Sequence, residues 1–216
     1  MSLDLFTFIF FYFIIINSTI GYGYLVARTT KIGLKFFDCS FLGLLGIFIL
    51  LLLSYTSHLF VKHNYIHNLI MLTIGISSFA YFIFKEKKNN ILKINIFFLI
   101  LFISFIIFKS HDDFSYYHFP YIYYLTQSEI VLGIGNFNHG FRTPSSIFYL
   151  NSLFYLPMIK FHFFQIGAIL IMGFSCYQFI HLIKKKLEQN KQDIFFFLYL
   201  FFFIFTVVFF YRIAEH

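Results

Sequence analysis

Residues 111–146 read HDDFSYYHFPYIYYLTQSEIVLGIGNFNHGFRTPSS and break an otherwise near-continuous run of apolar sequence. The stretch decides the fold because what it interrupts reads as bilayer-spanning helix. Hydrophobic residues make up 60% of the 216 positions and charged residues only 12%. Mean hydropathy is +0.80, far from the composition of a soluble domain. A hydrocarbon core about 30 Å thick needs roughly 20 apolar residues in a helix rising about 1.5 Å per residue. Six segments qualify, at about 3–26, 41–60, 65–84, 91–108, 163–183 and 194–211. The predicted fold is all-α, a polytopic membrane helix bundle of about six transmembrane helices, with interfacial helices in one long outer loop, 109–162.

The first segment reads as a span rather than a secretory signal peptide. Met1-Ser2-Leu3-Asp4 lacks a basic start, and the apolar run is longer than such a region needs. The Asn17-Ser18-Thr19 sequon lies inside that span, out of reach of glycosylation.

Orientation follows from the cations. Arg28, Lys31 and Lys35 form one basic loop, Lys85, Lys87, Lys88 and Lys93 a second, and Lys184, Lys185, Lys186 and Lys191 a third, together 11 of the 16 Lys and Arg. The positive-inside rule makes these loops cytoplasmic. Six spans put them on one side and leave the N-terminus, the Lys62 to Asn64 turn and the segment 109–162 outside. A bacterial inner membrane is the expected setting.

A seventh apolar stretch, 145–159, would reverse the last basic loop if it crossed. Thr143 suits an N-cap, Pro144 a first helical position and Pro157 a stop, which leaves about 13 residues and roughly 20 Å, too short to span. The expectation is an interfacial helix on the outer side.

The net charge of +7 is split among short loops, so nucleic-acid binding, which wants one clustered basic surface, is disfavoured. The partners expected instead are membrane lipids. Cys39 and Cys176 belong at different depths and spell no disulfide or metal motif. The 38 Phe and 16 Tyr beside zero Trp fit AT-rich coding, so most aromatics read as lipid-facing. No Asp, Glu, Lys or Arg falls near the middle of a predicted span, which argues against ion coupling. Asn17, Asn95, Gln165 and Gln178 read as interhelical hydrogen-bond formers.

The outer segment has the opposite character, with Asp112, Asp113 and Glu129 against Arg142 and the boundary Lys109, and with His111, His118 and His139 added. Asp113 suits an N-cap for a helix from Phe114. Equally, a carboxylate at the interface could act as general base toward a hydroxyl or hold a divalent cation. Adjacent helical residues diverge by about 100°, so the two aspartates do not share one site. Arg142 suits bidentate phosphate binding beside a helix start, or headgroup anchoring. Gly133-Ile134-Gly135 says turn and nothing about nucleotides.

A span ending in an acidic pair, then DDFSYYHFP, a glycine-containing turn, His139, a short helix near Pro144 and a span ending in a lysine cluster resembles the first outer loop of the GT-C membrane glycosyltransferases. The resemblance covers 91–187. It implies that 1–90 are N-terminal transmembrane helices and that 91–216 begin a GT-C-like module, incomplete at its C-terminus as in a fragment of a longer protein. It further implies Asp112 or Asp113 as catalytic base or metal-linked carboxylate, and Tyr117, His118, His139 and Arg142 as substrate-binding residues. The implied function is transfer of a sugar from a polyprenyl-phosphate donor to an envelope acceptor, with a divalent cation as possible cofactor. The alternatives are a polysaccharide polymerase or ligase of the envelope, and a non-catalytic membrane subunit or lipid-linked-glycan carrier.

Overall fold

The computed structural model describes residues 4–31, 38–86, 90–107 and 113–215. His111, Asp112, Lys35, Lys87, Lys88 and Lys109 lie outside them. The described residues are helical, with no strand beyond an isolated bridge between Leu156 and Lys160. Long helices stand where apolar length predicts them: α1 Leu5–Thr29, α2 Cys39–His58, α3 Tyr65–Glu86, α4 Asn90–Ile107, α7 Ile166–Glu188 and α8 Ile194–Glu215. Between α4 and α7 lie the shorter α5 Phe119–Gln127 and α6 Ser146–Ser152. By length and composition α1, α2, α3 and α7 can each cross a membrane. Shorter apolar helices run over Ile91–Ile103 and Ile194–Phe209. The protein is thus an all-helical membrane protein.

Helix α1 is the centre, packed on α2 and α3, while α7 lies against α2, α4 and α8. Without a hydrophobic drive between helices in lipid, close backbone approach and hydrogen bonds hold them. A Cβ on Gly46 would stand 1.9 Å from the Thr19 carbonyl oxygen, and one on Gly21 2.0 Å from that of Gly75, so only glycine permits these crossings. The Tyr12 hydroxyl donates to the Phe98 carbonyl at 2.9 Å and that of Tyr22 to Met71 at 2.8 Å. Asn17 and Asn95 exchange amide bonds at 3.3 Å across α1 and α4, as interhelical formers. Gln178 meets Ser40 at 2.7 Å and Asp38 across α2 and α7, whereas Gln165 sits at the α7 N-cap without a side-chain capping bond. Cys39 and Cys176 are buried thiols that form no disulfide.

The expected outer interfacial helix is corrected in length, start and setting. Its cap is Ser145, whose Oγ accepts from the Ile147 N–H at 3.4 Å, so Thr143 and Pro144 precede it. It spans only seven residues and ends at Ser152, well before Pro157. From Phe148 to Leu156 every residue is buried. A surface-lying amphipathic helix would keep one face open, so protein encloses this segment on all sides, against α2, α5 and α7.

Candidate functional site

The segment 113–165 closes one end of the bundle. A π-helical turn, Phe114–His118, runs straight into α5, and the Phe119 N–H reaches back to the Phe114 carbonyl. The wider turn accommodates Pro120, which has no N–H to offer a helical ladder. Asp113 precedes the turn with helical dihedrals and makes no side-chain capping bond, which corrects the capping expectation. Its carboxylate instead engages the Tyr117 hydroxyl one turn on; burial and then the Asp113 charge raise that phenol's pKa.

Tyr117 is where two parts of the chain meet. Gly133 takes φ 82° in the left-handed region that glycine tolerates, opening the turn expected there. Asn138 then accepts from the Gly140 N–H at 2.8 Å and presents Gly140 to Tyr117, so closely that a Cβ would stand 2.5 Å from the ring. Flanking Gly140 are His139 and Arg142, both exposed, with Arg142 Nε donating to the Gly135 carbonyl at 3.3 Å. The His118 ring packs edge-on against that of Tyr117, 4.4 Å between centroids, and lies 4.8 Å from that of Phe148. Asp113, Tyr117, His118 and the turn carrying His139 and Arg142 therefore form one region. Asp112 is outside the described residues. Among the described residues no three His, Cys, Asp or Glu converge as a metal site.

Beside this region lies a buried polar network that the sequence reading passed over. His63, in the α2–α3 turn, places Nε2 3.1 Å from both the Ser54 carbonyl and the Ser57 hydroxyl. Nδ1 lies 2.6 Å from the Ser152 hydroxyl, which itself donates to the Tyr149 carbonyl at 2.8 Å. His63 and Ser152 are fully buried, and the pair ties α6 to the α2–α3 turn. Burial, with His67 and His58 beside it, pushes the His63 pKa from 6.5 down to about 3. Asn68 Nδ2 donates to the carbonyls of His63, Ser152 and Tyr155 at 2.9, 2.8 and 3.0 Å. His58 Nε2 donates to the Ser128 carbonyl at 3.2 Å, while its buried Nδ1 has no hydrogen-bond partner among the described residues. Stacked Tyr55–Tyr149 and Tyr65–Tyr155 pairs, 4.1 and 4.4 Å between centroids, wall the network. The available signal was the spacing of His58, His63, His67 and Asn68 across one short turn between two spans.

No curated protein and no solved structure gives a significant match to the chain. The family profile described as Domain of unknown function (DUF8201) matches residues 5–214, and the protein belongs to that family.

Proposed function

We propose that the chain is an integral membrane glycosyltransferase-like protein that moves a sugar from a polyprenyl-phosphate donor to an acceptor hydroxyl of an envelope glycan or lipid. The long helices then make six crossings of a bacterial inner membrane, with the N-terminus and segment 113–165 on the outer face and the lysine-rich ends inside. In this reading Asp113 or Asp112 takes the acceptor's proton as the new glycosidic C–O bond forms, and the lipid phosphate leaves with the old one. Arg142 receives that phosphate, and Tyr117, His118 and His139 contact the sugar or acceptor.

One observation carries the reading. Gly140 packs on the Tyr117 ring, which joins a carboxylate–phenol pair to a histidine and a guanidinium from a separate stretch of chain. The test is transfer by membranes containing the whole protein, supplied with labelled polyprenyl-phosphate sugars. Asp113→Asn or Asp112→Asn abolishes transfer at unchanged abundance. Normal transfer in both variants contradicts the catalytic reading. That outcome favours a non-catalytic subunit or lipid-linked-glycan carrier, a second reading supported by the engagement of Asp113 with Tyr117 and of Arg142 with Gly135.

A further inference from the structure

At the opposite, lysine-rich end, α1 and α3 leave a groove of about 430 Å³ between them. Its walls include Leu25 and Ile74, with Thr73 and Ser77 on the α3 side and Tyr24 and Tyr81 toward the basic end. Positions 73, 77 and 81 follow one another at helical spacing, so the groove runs about 12 Å along α3. Ser78 closes its inner wall by donating to the Gly21 carbonyl at 2.8 Å.

Two cations stand at the mouth. The Arg28 guanidinium lies 4.5 Å from the centre of the Tyr81 ring, and Lys85 Nζ is 3.4 Å from the Tyr81 hydroxyl. Both cations are exposed. Among the described residues neither has a carboxylate partner. Two like charges gathered on one aromatic ring repel each other and attract an anion, and a guanidinium grips phosphate oxygens in pairs. A free phosphate would use only this mouth. The apolar walls beyond it fit a chain attached to the phosphate.

We propose that this groove binds an anionic phospholipid, with the headgroup phosphate on Arg28 and Lys85 and an acyl chain against Leu25 and Ile74. The site is separate from the Tyr117 region and serves as a lipid seat on the basic side of the α1–α3 pair.

Native mass spectrometry of the full chain in detergent, titrated with phosphatidylglycerol or phosphatidylcholine, tests it. Phosphatidylglycerol adducts are expected to form preferentially, and Arg28→Gln to weaken them by about tenfold, the scale of one charge-assisted contact. Ser77→Leu, which fills the groove and leaves both cations, lowers the same adduct. Inorganic phosphate added alone does not displace the lipid. Equal binding of the two lipids, or unchanged adducts in both variants, overturns the proposal. Displacement by phosphate with no effect of Ser77→Leu also overturns it, leaving a free-anion site. Wild-type helicity of both variants by circular dichroism shows that the comparison is between folded proteins, and Lys85→Gln repeats the charge test at a second position.

Discussion

The two ends of the bundle are built from opposite chemistry. At the lysine-rich end charges sit at helix termini in surface pairs, such as Lys184 with Glu188 at 3.7 Å and Lys186 with Asp193 at 2.5 Å. At the other end the key groups are neutral, buried and bonded to backbone: His63, Asn68, Ser152, and Asn151, whose Oδ1 accepts from the Gly167 N–H at 2.8 Å. Exposed pairs contribute little to stability, whereas removing one partner of a buried polar network leaves the others desolvated and unsatisfied. Charge marks where helices leave the bilayer. Neutral polar groups decide how the chain between them is folded.

The sharpest way to break that contrast is at Asn68. Replacing it with alanine strands three buried carbonyls, and a loss of about 3 kcal/mol is expected. Thermal unfolding in detergent, read as exposure of the buried Cys39 and Cys176 to a thiol-reactive dye, measures it. The matched change at the other end, Lys184→Ala, shifts the same transition by less than about 0.5 kcal/mol.

Acid separates the ends next. His63 is neutral in the fold and has its pKa depressed to about 3, so the unfolded chain binds the extra proton. Stability from this group is complete above about pH 6.5 and falls as pH drops from there toward 3, by about 1.4 kcal/mol per unit. Between pH 6.5 and 5 that is about 2 kcal/mol. The facing His58 and His67 rings, 5.0 and 4.9 Å away by centroid, share the environment. In His63→Gln the slope of the unfolding midpoint against pH flattens; an unchanged slope contradicts the assignment.

Arg142→Lys sharpens the functional side of the comparison. Loss of the guanidinium fork weakens donor use by about 1.5 kcal/mol if Arg142 holds phosphate, read as a shift in donor titration. Anchoring in headgroups predicts no shift, because lysine reaches the interface equally well. A smaller effect than that of Arg142→Lys is expected from Gly140→Ala. Its methyl group must push the Tyr117 ring, at about 1 kcal/mol of stability. If the two segments form one site, transfer falls further than stability does.

The long helices were legible because a bilayer leaves the backbone little alternative. The predicted 65–84 became Tyr65–Glu86, and 194–211 became Ile194–Glu215. The Gly133 turn was also legible, since its spacing needs no tertiary information. Segment 145–159 was not. Length says that seven or thirteen residues cannot span, but nothing local says whether they lie on a surface or inside a fold. That answer depends on His63 and Asn68, more than 80 residues upstream. In the candidate site Asp113, His139 and Arg142 were named from residue chemistry and Tyr117 through the family resemblance, while the route by which they meet, Gly140 on Tyr117, is a packing contact invisible in one dimension. The glycine crossings of α1 were likewise hidden, because a glycine in a span reads the same whether it meets lipid or a neighbouring carbonyl.

The claim beneath all of this is that the acidic, aromatic end and the lysine-rich end face opposite sides of the membrane. Labelling of single cysteines by a membrane-impermeant maleimide in intact cells tests it, with Cys39 and Cys176 replaced by serine. The account predicts labelling of His139→Cys and Lys160→Cys in intact cells, and of Lys185→Cys only after the membrane is opened. Labelling of Lys185→Cys in intact cells while Lys160→Cys stays protected would contradict it.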